Sequence, residues 1–516
     1  MIKEWEKETL IGLFNKTCEN FPDRLAAVDA SKRLSYGKLK GKVDYLSTSF
    51  KRMGLKKRDI VMVQIANSVM FEIVIFSLFK IGAVPILILP AHKEHVIDAI
   101  IDRAKPKFYI TMNDFYGVDY KKIADKMAIK YPFLEEVLTV KDLEEILEKP
   151  KDDLRENIDV LLEEANTFEL VSPKDLAILE LSGGTTGIPK LIPRYHGEYS
   201  YNAISSAKHC AMDNGVVNLS AIPVSHNFAF GTPGMIGTVY VAGLNVFCEY
   251  PSPVEIFDWI EKEHVTMLSL VPSVVNLCVQ YRQLDESNDL SSLKYVLVGG
   301  ASFTSTQAKQ CEKYLEARLI QVYGMTEGMT FLTAIDAKEE VRFYTQGKPC
   351  AKEDEFRIVD SDFNELADGL EGEVVVKGPY TITEYYKNPV ETRDSFYEGF
   401  YRPGDKGKKD RYGNIIITGR AKEMINRAGE KIMPSEVEKY FVSLPEVKQC
   451  AAVGKKDELL GEAICVFYEA NTELSMGDVR AFFKERNIED YCIPDKIVRV
   501  TTWPLTAVGK IDKSKL

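Results

Sequence analysis

Hydrophobic positions along the chain follow two alternating periods, which predict strands and helices in turn. An apolar run at 59–65 predicts a strand, the amphipathic segment 70–81 predicts a helix, and 83–88 predicts a second strand. Similar strand patterns recur at 107–111, 266–270 and 295–298. Because strands joined by crossover helices run parallel, this pattern predicts an α/β body.

The pattern changes after residue 347. Short alternating segments between Asp- and Gly-rich turns at 354–378 predict an antiparallel β region, and 414–418 predicts one more strand. The residues beyond it, about 95 in number, are enough for a small separate domain. They carry helix signals of their own, at 435–444 and 477–485.

We place the domain boundary at 419–422, which divides the chain into segments 1–420 and 421–516. The acidic, lysine-rich stretch 141–164 predicts a solvated helical face, as charge runs usually do.

Composition excludes several classes of protein. With 66 Lys plus Arg against 77 Asp plus Glu, the 516-residue chain has a net charge of −11, which argues against a basic nucleic-acid-binding face. Nine scattered cysteines with no CxxC pair argue against metal knuckles and fit free thiols in a reducing cytosol. The charged N-terminus lacks a signal-peptide core, and the most apolar stretch, 61–90, is repeatedly interrupted. We therefore predict a soluble, cytoplasmic protein with no membrane or nucleic-acid partner.

A Gly- and Thr-rich loop carries the first candidate chemistry. The segment 181–190, LSGGTTGIPK, follows the apolar strand pattern 176–181. Its glycines allow backbone N–H groups to face an anion, its hydroxyls add donors, and Lys190 adds charge, which suits a polyphosphate. No GK[ST] closes it, so it is not a Walker loop, and by itself the pattern is also that of a mobile surface turn.

Four further segments support the interpretation of the 181–190 loop as a phosphate-binding loop. They are 321–328 (QVYGMTEG), 401–405 (YRPGD), 419–422 (GRAK) and 504–510 (PLTAVGK). In this order, the five segments resemble the signature motifs of the acyl-adenylate-forming superfamily, which includes acyl-CoA synthetases and luciferases. The segments 191–194, 225–228, 345–349 and 425–431 resemble, more narrowly, the stand-alone aryl-acid adenylating enzymes of siderophore synthesis.

The resemblance implies an α/β fold with two domains of unequal size. A large N-terminal body would contain two parallel-rich α/β subdomains and a β-barrel-like subdomain, followed by a small, mobile α+β C-terminal domain. The implied reaction joins an aryl acid such as 2,3-dihydroxybenzoate or salicylate to AMP, using ATP and Mg²⁺ and releasing pyrophosphate. The aryl group would then pass to the phosphopantetheine thiol of an aryl carrier protein.

Two alternatives stay open at this point. Coenzyme A could replace the carrier protein as the acceptor, with the same adenylate chemistry. A nucleotide-binding regulatory protein on a degenerate scaffold is disfavoured, because Lys190, Glu327, Asp405 and Lys510 are all present. The sequence is compatible with a monomer or a homodimer.

The resemblance also implies roles for single residues around the nucleotide. Lys510 would be the catalytic lysine, Lys190 a phosphate contact, Glu327 the Mg²⁺ ligand, and Asp405 the acceptor of both ribose hydroxyls. Proline at 403, where the family usually has threonine, lacks a hydroxyl and an N–H, which affects local contacts and leaves the role of Asp405 intact. The other implied ATP- or AMP-binding residues are Ser182, Gly183, Gly184, Thr185, Thr186, Gly187, Gly300, Tyr323, Gly324, Thr326 and Arg420.

For the aryl-acid pocket, Asn227 is the main candidate for specificity, since its amide can both donate to and accept from an ortho-hydroxyl. His226 is expected to be an aromatic gate without acid–base work. The remaining implied pocket residues are Tyr199, Phe228, Thr232, Gly299, Ala301 and Thr330. For the thioester step, Lys422 would be the hinge and Gly429 would allow the pantetheine arm to approach.

Overall fold

The computed structural model describes residues 3–148, 169–182, 189–420, 423–427, 430–457, 460–486, 488 and 492–516. The predicted βαβ unit is present, as a strand at Ile60–Gln64, a helix at Val69–Ile81 and a strand at Val84–Leu87. The Ser68 hydroxyl caps this helix by accepting the Phe71 N–H at 3.3 Å.

The strands occupy most of the segments in which β-branched residues cluster. In chain order they are β1 (Leu25–Val28), β2 (Arg33–Ser35), β3 (Ile60–Gln64), β4 (Val84–Leu87), β5 (Phe108–Thr111), β6 (Asp114–Phe115), β7 (Val118–Asp119), β8 (Glu136–Thr139), β9 (Leu176–Leu181), β10 (Leu191–Tyr195), β11 (Val217–Ser220), β12 (Leu244–Phe247), β13 (Met267–Leu270), β14 (Tyr295–Gly299), β15 (Arg318–Met325), β16 (Gly328–Leu332), β17 (Lys348–Pro349), β18 (Glu355–Val359), β19 (Gly372–Lys377), β20 (Phe396–Tyr397), β21 (Phe400–Tyr401), β22 (Asp405–Lys409), β23 (Ile415–Arg420), β24 (Ile425–Arg427), β25 (Glu430–Ile432), β26 (Val447–Asp457), β27 (Gly461–Ala470) and β28 (Lys496–Arg499).

The helices connect these strands and cover the sheets. In chain order they are α1 (Leu10–Asn20), α2 (Tyr36–Arg52), α3 (Val69–Ile81), α4 (Glu94–Ala104), α5 (Tyr120–Lys130), α6 (Val140–Glu148), α7 (His196–His209), α8 (Asn227–Gly231), α9 (Gly234–Tyr240), α10 (Pro253–Glu263), α11 (Pro272–Arg282), α12 (Ser305–Leu315), α13 (Glu339–Arg342), α14 (Pro389–Ser395), α15 (Pro434–Phe441) and α16 (Met476–Glu485). The predicted solvated helix at 141–164 is helical as far as 148, and 149–164 lies outside the described residues.

Two large sheets form the body and confirm the predicted parallel α/β architecture. The first has the strand order β17-β16-β15-β14-β13-β11-β12-β1-β2, in which β15 to β1 run parallel and both edges are antiparallel. The second has the order β10-β9-β4-β3-β5-β8 and is parallel from β9 to β8. Ligands bind at the carboxyl ends of strands in such sheets, so the loops after β9, β14 and β15 are the natural place for a site.

A third sheet, of six strands, contains the antiparallel region that was predicted from residue 354 onward. β19 pairs with β18 on one edge and with β21 and β22 on the other, and β23 extends the sheet from β22. The resemblance implied a barrel-like subdomain here. Within residues 354–420, all of which are described, the strand pairing leaves the sheet open.

The C-terminal segment forms a small α+β unit with its own core. Its sheet has the order β25-β24-β27-β26, with β28 added in parallel to β27, and α15 and α16 accompany it. A separate hydrophobic cluster, drawn only from residues 425–497, includes Phe441, Val466 and Phe483. The chain therefore has a mixed α/β fold with a large N-terminal body and a small C-terminal domain.

The cysteines behave as the scattered spacing predicted, because all nine are free thiols and seven of them are buried. Within the part of the chain that the structure describes, no helix combines the length and the apolar character needed to cross a membrane.

Gly347 and Gly369 form a matched pair for testing the fold. Both have positive φ, 73° and 87°, but a β-carbon on Gly347 would overlap the Leu332 carbonyl, whereas one on Gly369 would meet nothing within 4 Å. We expect Gly369→Ala to cost about 1 kcal/mol of stability, from backbone strain alone. Gly347→Ala adds a steric overlap and should cost about 3 kcal/mol or more.

Thermal unfolding of the two variants beside the parent protein tests this difference. Equal shifts of the midpoint would show that the Leu332 carbonyl moves away freely, which would contradict the expected packing.

Candidate active site

The C-terminal domain reaches into the body through the hairpin that carries Lys510. The Thr506 N–H donates to the Lys510 carbonyl at 2.7 Å, and Ser273 of the body donates to the Gly509 carbonyl. Gly300 follows β14 directly, and a β-carbon placed on it would lie 3.0 Å from Lys510 Cε and 3.3 Å from Nζ. The lysine thus lies against the carboxyl end of a central parallel strand.

The electrostatics of this cleft act on Lys510. Burial, together with the nearby Arg420 guanidinium, lowers the pKa of Lys510 to about 8, and Asp405 opposes the change. Because this pKa is still above 7, most of the lysine carries its charge at neutral pH. The ammonium can therefore attract an anion in the cleft, and burial strengthens that attraction.

Asp405 lies at the start of β22, opposite Arg420 on β23. The register pairs the two residues directly, and the Arg420 Nε donates to Asp405 Oδ1 at 3.0 Å. The Tyr323 hydroxyl donates to Oδ2 at 2.6 Å. Burial raises the pKa of Asp405, while Arg420 and Tyr323 stabilise its ionised form. The sequence-predicted residues Tyr323, Asp405 and Arg420 are thereby brought together with Lys510.

Glu327 lies in the turn between β15 and β16 and is nearly buried. The Tyr385 hydroxyl donates to its Oε1 at 2.8 Å and lies 3.0 Å from the Tyr401 hydroxyl. The Ile382 N–H fixes the backbone by donating to the Glu327 carbonyl at 2.7 Å. Sequence reasoning missed Tyr385, whose only signal was an aromatic pair in a polar loop.

Lys190 is held by partners from distant parts of the chain. Its ammonium forms an ion pair with Glu391 on α14 and lies 4.9 Å from the centre of the Tyr385 ring. Its backbone N–H donates to the Ser182 hydroxyl at 3.0 Å, and the Ser182 N–H donates back to the Lys190 carbonyl at 3.1 Å. These bonds close the base of the Gly- and Thr-rich loop.

Several predicted site residues fall outside the described residues. They are Gly183, Gly184, Thr185, Thr186, Gly187, Lys422 and Gly429.

Arg194 on β10 is a fully buried guanidinium that ties the site together. It forms a bidentate pair with Glu198, at 3.0 and 2.9 Å, and donates to the carbonyls of Thr326 (3.0 Å) and Tyr380 (3.2 Å). Its guanidinium also lies 4.5 Å from the centre of the Tyr199 ring. Sequence reasoning included Arg194 in the segment 191–194 but assigned it no site role, and no local pattern predicts that an arginine is fully buried.

Asn227 begins the short helix α8 and has only 8% of its surface exposed. Its Oδ1 accepts the Tyr199 hydroxyl at 2.6 Å, and the same hydroxyl lies 3.0 Å from Glu180 Oε1. Tyr199 is completely buried, so it contacts the Asn227 amide on the side that faces the protein interior. The Asn227 Nδ2 has no hydrogen-bond acceptor among the described residues.

His226 is the N-cap of α8, and its Nδ1 accepts the Phe228 N–H at 3.2 Å. Burial, with a smaller contribution from the Lys510 ammonium, lowers the pKa of His226 to about 3. The ring is therefore neutral at physiological pH, with its proton on Nε2. The role of His226 as an aromatic gate stays a prediction.

The remaining candidates lie on α8, β14, β15 and β16 or in the segments beside them. Phe228, Thr232, Thr326 and Thr330 are buried, and the Thr232 hydroxyl has no hydrogen-bond partner among the described residues. Gly299 is the last residue of β14, whereas Gly300, Ala301 and Gly324 are exposed. Within the described ranges, no three His, Cys, Asp or Glu side chains cluster closely enough to hold a metal ion by themselves.

Comparison with known proteins identifies the family of the chain. The AMP-binding enzyme family model matches residues 14–386, and the model of the AMP-binding enzyme C-terminal domain matches 436–510. The chain is 37% identical to 2,3-dihydroxybenzoate-AMP ligase of Bacillus subtilis, over 99% of this chain and 94% of that protein. It is 33% identical to 2-hydroxy-7-methoxy-5-methyl-1-naphthoate–CoA ligase of Streptomyces carzinostaticus, over 99% and 93%.

Among solved structures, the apo structure of MbtA from Mycobacterium smegmatis superposes with a TM-score of 0.73 and 32% identity, covering 99% of this chain and 95% of that one. Both the body and the C-terminal domain are matched, and the relatives are covered nearly end to end. The chain therefore belongs to the family of AMP-binding enzymes.

Proposed function

We propose that this protein is an aryl acid–AMP ligase that activates a 2-hydroxylated benzoic acid, of the 2,3-dihydroxybenzoate or salicylate type. The acid would attack the α-phosphate of ATP and release pyrophosphate. The phosphopantetheine thiol of a carrier protein would then attack the acyl-adenylate, forming an aroyl thioester and releasing AMP. The observation that carries this proposal is Lys510, which the C-terminal domain inserts beside Gly300, close to the Asp405–Arg420 pair.

Lys510 can supply the positive charge that the first step needs. A carboxylate approaches a phosphate, and both are anions, so the reaction needs positive charge at the point where they meet. The lysine stem is long enough for its ammonium to contact both groups, and its surroundings exclude much of the water. Arg420, which also lies in the cleft, adds a second positive charge.

Asp405 is suited to the ribose. A carboxylate offers about four lone-pair sites. Arg420 and Tyr323 use one on each oxygen, so acceptor capacity is left for the two ribose hydroxyls. The two partners fix the orientation of the carboxylate, and its burial excludes competing water.

The loop closed by Ser182 and Lys190 would bind the phosphates of ATP. Lys190 would exchange its Glu391 partner for the β- and γ-phosphates of ATP, whose higher charge favours the exchange. Ser182 would hold the loop base in place through its two hydrogen bonds with Lys190.

Glu327 fits the role of a Mg²⁺ ligand. Magnesium is usually bound by one or two carboxylates together with substrate phosphates and water, so a lone, rigidly held carboxylate beside the nucleotide is the expected donor set. Tyr385 holds one oxygen of Glu327 and orients the carboxylate. A bound Mg²⁺ would neutralise charge on the phosphates.

The second step requires the C-terminal domain to move, because Lys510 occupies the cleft in the present arrangement. We propose that segment 421–516 turns as a unit about Lys422, relative to segment 1–420, and brings the loop at Gly429 to the adenylate. The separate hydrophobic core of the C-terminal domain supports such a rigid-body motion.

Coenzyme A is the second candidate acceptor, because one relative covering 99% of the chain is a CoA ligase. Turnover with CoA and with a phosphopantetheinylated carrier protein, measured at equal concentration, separates the two. Faster turnover with CoA would favour the alternative.

The primary test is pyrophosphate exchange with 2,3-dihydroxybenzoate, salicylate, benzoate, 4-hydroxybenzoate and 3-hydroxypicolinate. We expect the ortho-hydroxylated acids to be used best, since Asn227 can bond the ortho substituent. No exchange with any member of this panel would reject the proposed function.

Replacing Lys510 should separate the two half-reactions. We expect Lys510→Ala to slow adenylation about 100-fold or more, because it removes the charge that stabilises the transition state. Thioester formation from supplied aryl-AMP should change only a few-fold. Lys515→Ala is the matched control, since the Lys515 side chain is 66% exposed and its ammonium pairs with Asp512. An equal loss in both half-reactions would contradict the proposed domain motion.

Replacing Asn227 should affect substrate choice. Asn227→Ala removes the amide from the pocket, and we expect the preference for salicylate over benzoate to fall about tenfold, the effect of one buried hydrogen bond. The rate with benzoate serves as an internal control for folding. An unchanged preference would show that Asn227 does not contact the ortho position.

A further inference from the structure

A buried cluster behind Asn227 contains two carboxyl groups, Glu180 and Glu198, but only one arginine, Arg194. Glu180 on β9 and Arg194 on β10 occupy the same face of their hairpin, with Ile192 as the cross-strand partner of Glu180, and they are 1% and 0% exposed. Arg194 forms its bidentate pair with Glu198, whereas its closest approach to Glu180 is 3.5 Å. Glu198 therefore neutralises the arginine, and Glu180 is the additional buried carboxyl group.

The hydrogen bonds around Tyr199 assign a proton to Glu180. The Tyr199 hydroxyl lies 3.0 Å from Glu180 Oε1 and 2.6 Å from Asn227 Oδ1. It has only one hydrogen to donate, and the amide oxygen has none. The shorter bond therefore takes the tyrosine hydrogen, and the bond to Glu180 must use a hydrogen of Glu180. Burial raises the pKa of Glu180 to about 8, although Arg194 opposes it, so the group is largely neutral at pH 7.

We propose that Glu180 is a positioning residue that sets, through Tyr199, which edge of the Asn227 amide faces the aryl acid. When Glu180 is neutral, Tyr199 donates to Oδ1 and the Nδ2 donor edge faces the pocket. When Glu180 is ionised, Tyr199 donates to it instead, so the tyrosine oxygen needs a donor. The amide then turns over to supply Nδ2, and its Oδ1 faces the pocket. This inference rests on the proposed function.

The two edges favour different ortho substituents. In salicylate the hydroxyl hydrogen bonds to the adjacent carboxylate, so its oxygen remains as an acceptor and suits the Nδ2 edge. In 2-aminobenzoate one N–H bonds to the carboxylate and the other remains as a donor, which suits the Oδ1 edge. A mismatched edge leaves a buried polar group unpaired, at a cost equivalent to about tenfold in rate.

Other ionisable groups face Glu180 and have to be separated from its effect. They are Arg194 on β10, Glu198 and Tyr199 on α7, and Glu327 in the turn after β15. Lys510 and Asp405 also ionise in the cleft. Two acids that compete in one reaction share every effect on ATP, Mg²⁺ and Lys510, so the ratio of their rates isolates the response of the ortho contact.

The experiment is therefore a competition between salicylate and 2-aminobenzoate for adenylation, at a series of values from roughly pH 6.5 to 9. Both acids keep the same ionisation across this range, because their carboxyl and anilinium protons leave well below it and the phenol proton well above it. Because each acid loses about tenfold on its mismatched edge, we expect the salicylate preference of the wild-type protein to fall by more than tenfold, up to about 100-fold, as the pH rises through the range.

Glu180→Gln tests the proton directly. A glutamine donates to Tyr199 as the neutral acid does but cannot ionise, so the ratio should stay near the low-pH wild-type value throughout. Tyr199→Phe removes the relay while Glu180 still titrates, and it should also give a flat ratio. Glu72→Gln is the matched control: burial raises the pKa of Glu72 to about 8 as well, but its bond to Asn245 lies elsewhere in the fold, so the wild-type pH dependence should persist.

Each result decides the question. A flat wild-type ratio overturns the inference, as does a Glu180→Gln or Tyr199→Phe variant that keeps the wild-type pH dependence. If Glu180→Gln fails to fold, Tyr199→Phe gives the decision, since it leaves the buried charges unchanged. If the wild-type protein adenylates neither acid, the proposed function itself fails, which is a separate outcome.

Discussion

The buried guanidinium of Arg194 is the interaction on which the site depends. Arg194 lies on β10 and bonds three other parts of the chain. It contacts helix α7 through Glu198, the turn between β15 and β16 through the Thr326 carbonyl, and the segment before α14 through the Tyr380 carbonyl. A charged group can stay in such a place only if all its donors are satisfied, so each of these partners is held where the arginine needs it. The turn that carries Glu327 is held in place by that one requirement.

Charge in this protein is organised locally. The chain as a whole carries −11, which repels a polyphosphate, yet Lys510 and Arg420 lie together in the cleft. Acidic groups in the same region are paired, Asp405 with Arg420 and Glu391 with Lys190. The attraction for a nucleotide therefore depends on short-range geometry, and long-range steering contributes little at physiological salt.

The sequence predicted the parallel body, the antiparallel region and the C-terminal domain because these depend on local periodicity. Asp405 and Arg420 were named because each lies in a short motif, but their direct pairing across two strands was not predicted and is seen only in the structure. The Glu180–Tyr199–Asn227 chain was not predicted. Glu180 occupies an ordinary position in an apolar strand, and its proposed role depends on hydrogen bonds made by residues on other elements. Lys190 and Glu391 are 201 residues apart, a pairing that no local pattern contains.

The pairing of Lys190 with Glu391 has a consequence for selectivity among anions. A ligand that takes Lys190 must first displace a carboxylate from it, so a weakly charged ion such as chloride or acetate gains too little to compete. A polyphosphate gains more from the exchange, because it carries more negative charge. The ion pair thus keeps the lysine charge compensated until a more highly charged anion displaces Glu391.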